Sequence, residues 1–163
     1  MLSCGPVYVP EFEDEKHAYC YQGRKLPSVT QILKPVTEPF YRLIDPVTLR
    51  NAADRGRAVH ECLEFYVQDD LDESSILPEW VPYLDAFKTF CATFKPKFLA
   101  TEQKLACSEF AGTIDVVCEI DSEIWVIDYK TTKALLPGVA LQTAAYELLA
   151  RGSGKFGDKL MRR

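Results

Sequence analysis

The sequence predicts a mixed α/β domain of the α+β kind, a central mixed β-sheet with an antiparallel meander flanked by helices. Three observations carry that expectation. Apolar residues recur at helical spacing between residues 45 and 94, three strand-like runs follow between 98 and 131, and one more helical stripe comes after them. The composition, 47% hydrophobic and 26% charged over 163 residues, is that of one globular domain able to bury a core. It divides into an N-terminal hairpin and short helix (1–44), a helical segment (45–96), a meander with its following helix (97–152) and a basic tail (153–163).

Each element has a local reason. "HAYCYQGRKLPSV" reads as a strand, a Gln-Gly turn and a second short strand, and Ser28 with Gln31 forms a capping box for a short helix that should stop before Pro35. "TEPFYRLIDP" reads as loop and turn. Asp45-Pro46 supplies an N-cap and a first-turn proline for a helix whose point of interruption would be Gly56. Beyond it, residues 59, 62, 63, 66 and 67 make an apolar stripe, and another helix is expected over 79–94, with Pro96 beyond its end. Strands are expected over 98–106, 112–120 and 123–131. The last helix, "VALQTAAYELLAR", is closed by Gly152.

Bulk properties narrow the function. No run of about 18 apolar residues is present, so no membrane span is expected. "MLSCGPVYVPEFEDEKH" has neither a basic start nor an apolar stretch, so a cytoplasmic setting follows as the default. The cysteines at 4, 20, 62, 91, 107 and 118 include no CxxC pair, which argues against a zinc ribbon or a clustered iron–sulfur site and for reduced, packed thiols. A net charge of −5 weighs against a broad phosphate-binding surface, unless part of the acid excess surrounds a metal.

The sharpest chemistry lies in "GTIDVVCEIDSEIWVIDYKTT". With Asp121-Ser122 as a two-residue hairpin loop, Ile120 faces Glu123, Asp115 faces Asp128 and Thr113 faces Lys130. Like charges directly opposed across a sheet are destabilising. A solvated face with Lys130 as partner is the bland explanation; a divalent cation bridging Asp115 and Asp128 is the sharper one. Hard carboxylate oxygens suit Mg²⁺ or Mn²⁺, and Lys130 would orient a water or steady a phosphate in its transition state. Arg55 and Arg57 are natural phosphate contacts, or plain solvated charges. His17 is assigned to structure.

Asp115 followed by Asp128-Tyr129-Lys130 resembles the metal-binding acid and (D/E)xK triad of the PD-(D/E)xK nuclease superfamily. "GTIDVV" is similar to the G-x-x-D strand of its RecB-like branch, "QTAAY" to its Q-x-x-x-Y helix, and "RGRAVHECLE" to its upstream helix with a metal-site histidine. "PSVTQIL" resembles the N-terminal segment of phage-type exonucleases. The resemblance covers residues 17 to 150. It implies a restriction-endonuclease-like core and a DNA nuclease, more an exonuclease than an endonuclease, serving phage or bacterial recombination and repair in the host cytoplasm. It further implies His60, Asp115, Asp128 and the Tyr129 backbone carbonyl around Mg²⁺ or Mn²⁺, and Gln142 and Tyr146 seating the strand. Glu102 becomes an acid behind the ligands. DNA, as linear ends or single-stranded tails, is the expected partner, with a recombination protein beside it. Such domains continue with a strand after the Q-x-x-x-Y helix, and here only "GSGKFGDKLMRR" remains for it. The rival expectation is a degenerate, non-catalytic nuclease fold that binds DNA or inhibits a nuclease.

Overall fold

The computed structural model describes residues 5–13, 18–132, 134–157, 159 and 161–163, so His17 and Cys4 lie outside the described residues. Strands β1 (Glu11–Glu13), β2 (Ala18–Tyr21) and β3 (Arg24–Leu26) form a small antiparallel sheet. The turn between β2 and β3 uses Gln22 and Gly23, both at positive φ. Ser28 then caps α1 (Val29–Ile32): its side chain accepts from the Gln31 N–H while its own N–H donates to Gln31 Oε1. This is the expected reciprocal cap.

Two helical expectations need correction. Helix α2 (Lys34–Tyr41) occupies the first half of the stretch read as loop. Pro35 sits in its first turn, where no N–H is missed, and the helix contains Pro39 and buries no residue. Helix α3 (Pro46–Val67) runs through Gly56 without a break. A Cβ added there would lie 3.8 Å from the Thr131 hydroxyl, an ordinary contact distance. A single 3₁₀ turn (Glu73–Ser75) leads to α4 (Val81–Phe94), which ends at Lys95 in the left-handed conformation.

The main sheet has strand order β4 (Lys97–Ala106), β5 (Ala111–Ile120), β6 (Glu123–Ile127), β7 (Met161–Arg162). The first three are antiparallel neighbours, and β7 pairs parallel to β6 over two residues. The strand expected after the last helix is therefore present and short. Asp121 and Ser122 both adopt positive φ, the twist a two-residue hairpin needs, and Ile120 pairs with Glu123 as expected. Pairing ends at Val116 with Ile127, earlier than the strand expected to reach residue 131. Thr113 accordingly pairs with Lys104 of β4, not with Lys130.

Helix α5 (Pro137–Gly152) covers one face of this sheet, where Tyr146, Leu149 and Ala150 join Ile114, Val117, Ile124 and Val126 in the largest core. On the other face Val116, Cys118 and Ile120 pack with Phe90 and Phe98, continuing into the α3–α4 core. Ile114 and Val117 share a face although three residues apart, so strand alternation slips by one residue between them. The slip falls at Asp115. The small sheet is stitched to the large one by bridges from Tyr8 to Ala106 and from Ser28 to Ala111. Five free cysteines are described, three of them buried, as packed thiols should be. Burial pushes the Cys118 thiol up to about 12. Among the described residues no helix is long and apolar enough to cross a membrane.

Gly112 is the tightest joint between β5 and α5. An added Cβ would stand 2.7 Å from Tyr146 Cε1 and 3.1 Å from Val29 Cγ2. Gly112→Ala should therefore cost about 1–3 kcal/mol of stability by overpacking, read as a lower urea midpoint at unchanged slope.

Candidate metal centre

Asp115 lies on the central strand, only 7% exposed, one of two polar residues in the buried set. A carboxylate there must be satisfied. The chain leaving β6 does part of this, as the Tyr129 N–H donates to Asp115 Oδ2 at 2.6 Å. His60, presented by α3, does the rest: its Nδ1 lies 3.5 Å from the same oxygen, while its Nε2 is 3.1 Å from the Tyr129 carbonyl. The Nε2–H donates to that carbonyl, which fixes the ring and leaves Nδ1 turned toward the acids. Metal-bound histidines are held in this way by a backbone acceptor on the far nitrogen.

Glu102 completes the group. One donor atom from each of His60, Glu102 and Asp115 lies within 4.8 Å of the others. Thr101 pairs with Val116 and Gln103 with Ile114, so Glu102 stands opposite Asp115 across β4 and β5. It does so at φ 44, in the left-handed region that a glutamate rarely enters. Two carboxylates are thus opposed across the β4–β5 ladder, a pairing expected from the sequence on the β6 side instead. Glu102 is more central than an acid standing behind the ligands.

Asp128 and Lys130 lie next to this group and not within it. They form an ion pair in which the Asp128 side chain is 2% exposed. Burial raises the Asp128 carboxyl above its usual range, Lys130 opposes that, and Asp115 adds to it. Strand pairing stops before Asp128, yet the two aspartates still sense each other's charge. The Tyr129 carbonyl, expected as a metal ligand, instead accepts from His60.

A cavity of about 700 Å³ opens onto His60, Glu102 and Asp115, walled by Thr30, Gly112 and Tyr146 among others. Tyr146 is buried and accepts from Gln142 Nε2 at 3.0 Å, so the Q-x-x-x-Y pair is spent partly on itself. Gln142 and Lys130 line a second cavity, and Thr30 lines both. Arg57 is exposed, paired with Asp54, and reaches the first cavity's rim, which Arg55 does not line. The basic tail is engaged internally: Lys159 pairs with Glu119, Arg162 with Glu123 and Arg163 with Glu147. Comparison with protein-family models, curated proteins and solved structures found no match to this chain.

The donor set of one imidazole and two carboxylates fits a divalent cation such as Mn²⁺ or Mg²⁺, and its electrostatics fit the same ion. Glu102 is pushed up to about 7, first by burial, then by the charges of Asp115 and Glu64, with His60 and Lys104 opposing. Burial lowers the His60 imidazole, and the bond and charge of Asp115 outweigh it, so the net direction is upward. Both groups hold protons in the folded state that the unfolded chain releases at lower pH. The stabilisation they bring is complete at low pH; that of Glu102 is lost as pH rises from its ordinary 4.5 through about 7. Metal-free protein should accordingly melt at a lower temperature at pH 8 than at pH 5, and Glu102→Gln should shrink that drop. An undiminished drop in the variant would place the titration elsewhere.

Proposed function

We propose that this chain is a Mg²⁺- or Mn²⁺-dependent deoxyribonuclease on a restriction-endonuclease-like core, acting as an exonuclease on linear DNA in phage or bacterial recombination within the cytoplasm. The observation that carries the reading is the His60, Glu102 and Asp115 group, closed to within 4.8 Å, with the Asp128–Lys130 pair beside it. A divalent cation there would neutralise the opposed acids and lower the pKa of a bound water, the chemistry that phosphodiester hydrolysis requires. His60, Glu102 and Asp115 would hold it, with Asp128 close enough to sense Asp115. The Lys130 ammonium, fixed by Asp128, supplies a positive charge for a phosphate between the two cavities. Tyr146 and Gln142 shape the wall the strand passes.

Preference for DNA ends has a physical basis. An enzyme that grips internal duplex needs extensive phosphate neutralisation, and this chain's tail cations are engaged by Glu119, Glu123 and Glu147. Tyr8 stacks on Tyr21 at 4.2 Å and Tyr66 packs on Phe87, which removes them as base-stacking platforms. Phe40, Tyr41 and Phe65 remain exposed and available to unpaired bases. Engagement of Lys130 by Asp128, with the net charge of −5 and the two-residue β7, favours the alternative of a non-catalytic DNA-binding protein.

Two experiments test the reading. Linear DNA should shorten progressively in Mg²⁺ or Mn²⁺ and not in EDTA, while covalently closed plasmid survives; rapid linearisation of the circle would mean internal attack. Mn²⁺ should also stabilise the fold, by about 2.7 kcal/mol at a hundredfold excess over Kd. Asp115→Asn should lose both cleavage and the Mn²⁺-induced rise in melting temperature. Lys130→Met should lose cleavage and keep the rise, since an ammonium is no metal ligand. Cleavage by Lys130→Met at near wild-type rate would remove Lys130 from the chemistry.

A further inference from the structure

The second cavity is not explained by a metal centre. It encloses about 340 Å³ between α1, α2 and the start of α5, at the lower end of the roughly 300–1,000 Å³ typical of small-ligand pockets. Its floor is apolar, from Leu33, Ile44, Leu136 and Val139, with hydroxyls at Thr30, Thr37 and Thr132 around it. Lys130 and Gln142 stand where it adjoins the candidate centre, and Tyr41, 40% exposed, offers a ring at its wall.

Resting on the nuclease reading above, we propose that this cavity is the subsite for one unpaired base of a single-stranded DNA end, the base next to the phosphate held at Lys130. A nucleobase combines what these walls accept. Its faces are apolar and stack on a ring such as Tyr41, and its edge presents donors and acceptors that threonine hydroxyls and an amide can meet. Thr30 lines both cavities, so the two are neighbours across one residue. A phosphate beside Lys130 leaves its sugar and base to enter the pocket, and the backbone runs on toward His60 and Asp115. Lys34 and Arg42 stand exposed on and next to the helix that walls the pocket and offer phosphate contacts, with Glu38 and Asp45 exposed beside them. Double-stranded DNA keeps its bases stacked and cannot fill the pocket without first unpairing one.

The test is binding of two labelled strands of equal length and charge, oligothymidylate and a fully abasic strand, followed by fluorescence anisotropy with Ca²⁺ present. The wild type should bind the strand with bases about tenfold more tightly. Tyr41→Ala, at a half-exposed ring, and Val139→Phe, which fills the pocket, should each lose about that tenfold on oligothymidylate and nothing on the abasic strand. Equal affinity of the wild type for both strands overturns the proposal, and so does base-dependent binding that neither variant alters, because the bases then stack elsewhere. Cleavage in Mn²⁺ on the same strands separates this from the nuclease reading. Cleavage with base-independent binding removes the subsite and leaves the enzyme. Base-dependent binding that the variants abolish, without cleavage, keeps the subsite and removes the enzyme. Neither binding nor cleavage removes both.

Discussion

Asp115 on the middle strand sets the terms for the structure around it. A carboxylate 7% exposed in a strand buried along nearly its whole length has no access to bulk water, so protein groups must satisfy it. The chain beyond β6 turns its Tyr129 N–H onto one oxygen, and α3 brings His60 to the same atom. The second contact ties a helix from the first half of the chain to a sheet from the second half. Removing the acid would leave an amide and an imidazole facing each other with nothing to share.

The cost of that arrangement appears in the backbone. Glu102 faces Asp115 at a left-handed φ, and alternation in β5 slips at this same level. Strain of this kind costs on the order of 1–3 kcal/mol, and a pair of opposed acids adds repulsion. Folding alone gives no return for either. Surrounding interactions overdetermine the geometry: α5 is pressed onto Gly112, and the Phe87 ring holds Tyr129 edge-on from the opposite side. The N-terminal hairpin contributes too, since Tyr19 accepts or donates at Thr113 and lines the same cavity. Residues far apart in the chain thus form one wall, and Phe12, Tyr19, Ser28, Val29 and Thr30 are part of the site's frame.

Much of this was legible in the residues, for identifiable reasons. A two-residue loop fixes hairpin register outright, so Asp121-Ser122 was enough to align β5 with β6 and bring Asp115 toward Asp128. The same arithmetic at the four-residue connection 107–110 pairs Glu102 with Asp115. That connection, "CSEF", lacks the glycine or asparagine that announces a turn, and the strongest acid pair went unread. Helix α2 was hidden by its two prolines, which read as helix breakers in the sequence. Gly56 looked like a helix break because a lone glycine lowers helix propensity, and the helix runs on through it all the same. His60 fell in an apolar stripe that could equally mark a core histidine; only its partners at Asp115 and Tyr129 distinguish the two.

The short β7 deserves a different kind of reading. It covers only two residues of β6, and the ion pairs from Lys159 to Glu119 and from Arg162 to Glu123 help hold it there. Exposed ion pairs weaken as counterions crowd them, over a Debye length of about 10 Å at 0.1 M and about 3 Å at 1 M. Concentrated salt therefore loosens the clasp on the sheet's open margin, whose unpaired amides and carbonyls are a template for another chain. The buried Met161 side chain anchors the same strand from within, so high salt would loosen the rim of this seam and leave its core packed.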